Sequence, residues 1–153
     1  MRSIVSAVIV VALASAGCAN AGFDKANSTP QNEGANADVG TTLSLRNAFL
    51  LGSADPATPA AQQPLYAVLV NDGGRPDQLE RVTVEGGGSV RLAGPVTLQP
   101  GQAYGTGNRP IGTVSGARGD TVPMTFTFRE AKSVRVMVPV KPKTGQYAQL
   151  GSG

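Results

Sequence analysis

Few side chains in this 153-residue chain could carry chemistry, and they lie far apart. Cys18 is the only cysteine, histidine is absent, and the methionines are Met1, Met124 and Met137. The ten Asp and Glu fall mostly in stretches rich in turn formers. A lone cysteine can serve as half of an intermolecular disulfide, a reactive thiol, a metal ligand or an attachment point, and its neighbours decide among these.

Cys18 follows an apolar run, Ile4 to Leu13, which has Arg2 before it and Ala14, Ser15, Ala16 and Gly17 after it. A basic start, an apolar middle and a small-residue end make a secretory signal peptide. The run falls short of the roughly 20 apolar residues that a spanning helix needs. Ser15-Ala16-Gly17-Cys18 resembles the bacterial lipobox, with Ser15 where an aliphatic residue is usual. The resemblance implies cleavage after residue 17 and acylation of the Cys18 sulfur, so that the acyl chains moor the protein to the outer face of the plasma membrane. Ordinary signal cleavage and a retained helix are the alternatives.

Hydrolysis by a nucleophile and base calls for a base beside the nucleophile, usually His, and the chain offers none. Acylation would also consume the sole thiol. Carboxylate pairs remain, but Asp72 and Asp77 read as turn residues; a calcium site on them, completed by backbone carbonyls, matches no known loop spacing. Gly105 to Gly112 (GTGNRPIG) is glycine-rich but lacks the Lys-Ser/Thr ending of a phosphate loop, and Pro110 interrupts it. It reads instead as a loop at one end of the domain, part of a contact surface. An enzyme is not expected, nor is a bound cofactor.

The formal charge of +3 includes Arg2, and the 13 Lys and Arg are scattered. Only Arg129, Lys132, Arg135, Lys141 and Lys143 group loosely, as a solvated strand face with a basic tail or as a contact for anionic headgroups. Nucleic-acid binding would need a clustered basic face with stacking aromatics, and is not expected.

The elements that must position these residues are strands. Charged residues and aromatics are scarce, while Gly and Pro number 20 and 11. Residues 18–40 are Asn-, Ala- and Gly-rich and read as a lipidated N-terminus and flexible linker with an r.m.s. reach on the order of 25 Å. From Thr42, Leu43, Leu45 and Ala48 begin an apolar period, and Leu65–Val70 is a short buried strand. Residues 53–64 form an exposed Pro-studded loop. Asn71–Asp77 and Glu85–Ser89 are turn clusters bracketing a strand at Leu79–Val84, and Ser89–Leu92 and Val96–Leu98 follow as strands. Residues 104–116 are expected to be irregular.

The clearest pattern is a hairpin. Val122, Met124, Phe126 and Phe128 share one face of its first strand, and Val134, Val136, Val138 and Val140 share one face of its second, with Arg129–Lys132 as the connection. Pro139 suits an edge or late-strand position. About seven short strands make an all-β, Greek-key β-sandwich over residues 41–142, after a signal peptide at 1–17 and the linker, with a flexible tail at 143–153.

The run GDTVPMTFTF (119–128) with the Val-rich strand 134–140 resembles the C-terminal signature of the periplasmic PCu(A)C copper chaperones, and the likeness reaches back to about residue 43. It implies a cupredoxin-like sandwich. Such chaperones carry Cu(I), on two His and two Met, towards the binuclear copper centre of cytochrome oxidase. Those ligand positions fall here near Ala93, Pro95 and Thr106–Asn108, none of them a soft donor. Met124 is expected in the core and Met137 on the opposite face, each as a packing residue. The chain is more similar still to actinobacterial envelope lipoproteins that share the sandwich, lipobox and linker and lack the full ligand set. The resemblance implies a lipid-anchored accessory protein whose partner is another envelope protein, with the respiratory cytochrome oxidase as candidate. The alternative is a metallochaperone that delivers Cu(I) to that oxidase through Met124, Met137 or a site shared with a partner.

Overall fold

The computed structural model describes residues 33–151. Ten strands run through them: β1 (Ala35–Val39), β2 (Leu43–Leu51), β3 (Gln62–Asn71), β4 (Asp77–Val84), β5 (Ser89–Leu92), β6 (Val96–Leu98), β7 (Ala103–Tyr104), β8 (Gly112–Ser115), β9 (Thr121–Phe128) and β10 (Val134–Lys141). They are ordered β5-β8-β3-β2-β10-β9-β4-β6, with β1 on β2 and β7 on β3. The result is the all-β sandwich that the residue pattern calls for, cupredoxin-like as the resemblance implies.

One joint closes the two layers. β10 pairs antiparallel with β9 from Val134 to Pro139, and then its last residues, Val140 and Lys141, pair parallel with Leu50 and Leu51 of β2. The sheet therefore curls through β10, and the apolar faces of the two halves meet inside. The hairpin is as expected: Val122, Met124, Phe126, Phe128, Val136 and Val138 are buried, while Thr and Arg residues alternate outward. Facing them are Leu43, Leu45, Ala48, Leu50, Leu65, Ala67 and Leu69 of β2 and β3. Each large aliphatic or aromatic side chain so buried contributes about 1.5–3 kcal/mol relative to exposure.

A bulge in β2 shapes everything on its outer side. The register with β3 slips between Arg46 and Phe49, and Asn47 takes a left-handed φ of 50°. Asn is among the residue types that tolerate this region best. The extra residue shifts the inward set from Leu43 and Leu45 to Ala48 and Leu50. Phe49 and Leu51 consequently face out, against Tyr66 of β3, in a second apolar cluster.

Four boundaries move. Residues 35–39, expected in the linker, form β1, because the free edge of β2 accepts them in antiparallel register (Ala37 opposite Leu45, Val39 opposite Leu43). Asn47 holds the start of that strand: its amide donates to Asn36 Oδ1 and its Oδ1 accepts from the Gly34 amide, both at 2.9 Å. In the expected tail, Gly145–Tyr147 form a 3-10 turn that buries Tyr147 against Phe49. The stretch 104–116, expected to be irregular, ends in β8, which pairs with both β3 and β5. Gln62–Pro64, expected in the preceding loop, are the first residues of β3.

Candidate functional site

Cys18, the expected lipidation site, and the signal peptide at 1–17 lie outside the described residues. The two internal methionines are separated as their faces require. Met124 is sealed in the core, and Met137 is 50% exposed on the outer face of β10. Their backbones are neighbours, with Met124 opposite Val136 and Met137 opposite Pro123, but the sheet stands between the sulfurs.

The aspartates are likewise apart in role. Asp72 is exposed in the β3–β4 turn, where its amide donates to the Thr42 carbonyl at 2.8 Å. Asp77 opens β4 and is buried, its carboxylate accepting from the amides of Gln78 (2.7 Å), Glu130 (2.9 Å) and Ala131 (2.9 Å). Those bonds fasten the β9–β10 connection and use both carboxylate oxygens, so the calcium reading of Asp72 and Asp77 gives way to a structural one. Among the described residues, no three His, Cys, Asp or Glu lie close enough together to hold a metal ion.

The positions where the chaperone ligands would fall do converge. The Ala93 amide donates to the Ile111 carbonyl at 2.9 Å and Leu92 pairs with Gly112, so the turn holding Ala93 and Pro95 lies against the end of the Thr106–Asn108 loop. That loop links β7 to β8, strand to strand, and no helix follows it. Gly105 begins it with φ 88°, so close to β3 that a Cβ would fall 2.0 Å from the Ala67 carbonyl oxygen. Only glycine fits there.

Behind this loop lies a cleft of about 290 Å³. Its floor is the outward cluster: Phe49 and Tyr66 stack at 5.0 Å with 10° between their planes, and Tyr147 tilts over Phe49 at 5.3 Å and 59°. Around the floor stand Asn47, Thr106, Asn108, Gln146 and Gln149, and no charged side chain lines it. Asn47 and Asn108 (φ 59°) are the non-glycine residues with left-handed backbone among the described residues, and both line this cleft. Such outliers cluster where a fold presents groups for function.

The phenols differ. Tyr147 Oη donates to Glu33 Oε2 at 3.0 Å, and Lys141 Nζ stands 3.5 Å from the same oxygen. Burial, then the bond to Glu33, raises the Tyr147 pKa above the ordinary phenol value. Tyr66 is 5% exposed, its Oη sealed from solvent beside Gly151; burial raises its pKa too, opposed by the Gly151 amide. The arrangement suits hydrogen bonding to an uncharged group and offers no nucleophile–base pair.

Residue-by-residue reading did not find this cleft. One signal was present: Phe49-Leu50-Leu51 is apolar on both faces of a strand, so something must cover the outer one, and Tyr147 and Leu150 are the large apolar residues of the last segment.

No protein-family model and no curated protein matches the chain. Solved structures do. The apo PCuAC domain from PmoF1 is similar at 24% identity and a TM-score of 0.56, over 71% of this chain and 99% of that one. The copper-bound PCuAC domain from PmoF2 is similar at 19% and 0.55, over 71% and 98%. The apo PmoF2 domain gives 17% and 0.57, over 72% and 98%. At these identities the likeness establishes the fold, that of a PCuAC domain, as the hairpin signature implies.

Proposed function

We propose that this chain is a non-enzymatic binding protein of the cell envelope, anchored to the outer face of the plasma membrane through acyl chains on Cys18. Its sandwich engages another envelope protein, and the respiratory cytochrome oxidase complex is the candidate partner. The observation that carries this reading is a mismatch: a PCuAC fold in a chain without histidine, whose two internal methionines face opposite sides of one sheet. A fold of that kind, without histidine and with its internal methionines held apart, is suited to binding a protein. The apolar run ending at Cys18 supports the anchor.

Intact-mass analysis of the native product tests the anchor, with an acylated Cys18 as the expected first residue. Cross-linking mass spectrometry on intact membranes tests the partner: links from the sandwich to one envelope complex are expected. An unacylated start, or links to none, overturns the respective half.

A second reading is favoured by the half-exposed Met137 together with the copper-bound PmoF2 likeness. Met137 would supply one soft ligand to Cu(I) and the partner the rest. Titration with Cu(I) under reducing conditions decides, because this reading needs binding at micromolar or tighter in the presence of the partner, lost with Met137→Leu.

A further inference from the structure

We propose that residues 145–151 are a detachable cover, and that the face beneath them, Phe49, Leu51 and Tyr66, docks a short turn of a partner protein that carries an aromatic residue and, three positions later, an aliphatic one. The proposal rests on the reading of the chain as an envelope protein that binds another protein, and it names the surface used.

The face stands on the outer side of β2 and β3, where a sheet in contact with water carries polar residues. Its three large side chains are nonetheless buried, and Tyr147 and Leu150 are what packs over them. Without that cover an aromatic stack and a leucine would meet solvent together, a contiguous apolar patch of the sort that marks an interaction site.

The cover is lightly attached. Its backbone bonds close on the segment itself: the amides of Tyr147, Ala148 and Leu150 donate to the carbonyls of Thr144 (3.0 Å), Gly145 (3.2 Å) and Tyr147 (3.1 Å). Among the described residues, the last backbone–backbone bond from this end of the chain to the sandwich is that of the Lys143 amide to the Ser53 carbonyl, at 3.3 Å. Beyond it the hold comes from the packing of Tyr147 and Leu150, the Tyr147–Glu33 bond and the Gly151 amide beside Tyr66 Oη. Gly145, with φ 55° and open space where a Cβ would stand, is a pivot at the start of the segment. The flank towards the Gly105–Asn108 loop borders the cleft. A terminal segment with few apolar contacts and no ladder bonds opens at a fraction of the free energy of global unfolding.

The cover itself states what fits. Tyr147 tilts over Phe49, and Leu150 follows one turn later, its amide on the Tyr147 carbonyl. A turn of that pattern from another protein meets the same contacts, and a buried aromatic anchor is what dominates such interfaces. An extended peptide would instead ask for an open sheet edge, and β2 and β3 are paired on both sides. The tethered cover competes at an effective concentration on the order of millimolar, so the free protein is mostly closed and a partner must displace it.

The test uses the isotope-labelled full chain in mild detergent and a synthetic peptide of residues 143–153 as the probe. Hydrogen exchange on the wild type needs no variant: the Tyr147, Ala148 and Leu150 amides should exchange at least about a hundredfold faster than those of Met124, Phe126 and Val136. The double variant Tyr147→Ala, Leu150→Ala keeps the sandwich core and should bind the peptide saturably, with a Kd of about 1 mM or tighter. Wild type should bind it at least about tenfold more weakly, because its own cover competes. The peptide carrying Tyr147→Ala should not bind. In intact membranes, saturating peptide should abolish the cross-links between the sandwich and its partner. Cover amides as protected as those of the hairpin, no saturable binding to the double variant, or equal binding to wild type and variant overturns the proposal. A wild-type dimer that Tyr147→Ala abolishes gives the face to a second copy and overturns the partner. Cross-links that persist under peptide overturn the choice of face and leave the envelope reading standing; no cross-links at all overturn that reading and the partner with it, whereas peptide binding reports on the cover alone.

Discussion

Met124 and Met137 lie one register step apart on the β9–β10 hairpin and point away from each other, one into the core and one into solvent. Met124→Ala should therefore cost about 2–5 kcal/mol, because a sealed side chain leaves a cavity, while Met124→Leu conserves volume and costs under about 1.5 kcal/mol. Met137→Leu should leave stability unchanged. Urea unfolding of the three variants checks the pattern; equal costs at both positions would sink the face assignment.

Asp77 ties the opening of β4 to a connection more than fifty residues away. Asp77→Ala strands buried amides and should destabilise by about 2–4 kcal/mol. Hydrogen exchange should speed up at the Glu130 and Ala131 amides before the rest of the hairpin responds.

Glu85 and Arg135 form a bidentate pair on the surface, through Nε at 2.7 Å and Nη2 at 2.9 Å. The Arg135 guanidinium holds the Glu85 carboxyl below the usual range. A carboxyl lowered in the folded state stabilises above its unfolded pKa and loses that contribution as acid protonates it. Wild type should thus lose stability more steeply than Glu85→Gln as the pH falls through the glutamate range, and added salt should shrink the difference.

The two cluster phenols should titrate late. Burial raises both Tyr66 and Tyr147, so the tyrosinate absorbance of the native chain should rise above the ordinary phenol range and lag that of the unfolded chain. A phenol raised on folding stabilises fully below its unfolded pKa and loses that stabilisation as the pH climbs toward its folded value. Tyr147→Phe should remove one of the late components.

The last turn should behave as part of the fold. Tyr147→Ala uncovers Phe49 and Tyr66 and should cost about 3 kcal/mol, whereas Tyr147→Phe keeps the ring and loses the bonds of its hydroxyl, that to Glu33 among them, about 1 kcal/mol. Equal, negligible effects would mean that the turn is ornamental.

How much of this was legible depends on where the pairing information resides. The β9–β10 hairpin carries its own in strict alternation, and every inward residue from Val122 to Phe128 was readable. β1 carries none: Ala-Asn-Ala-Asp-Val becomes a strand because β2 offers a free edge and Asn47 caps its start. The bulge at Asn47 was also silent, and it alone decides that Phe49 and Leu51 face outward. The aromatic cleft depends on that bulge and on a return of the chain from residue 145 onward, contacts too distant in sequence for any local period to announce. The methionine faces and the turn clusters, by contrast, needed only neighbours.

The bond from Tyr147 to Glu33 brings the first described residue and the final turn to one pole of the molecule. Topologically the sandwich is then close to a ring with a nick in it. A short bridge from residue 151 to residue 33, with new ends opened in the exposed Asp55–Thr58 loop, should give a circular permutant that folds like the original.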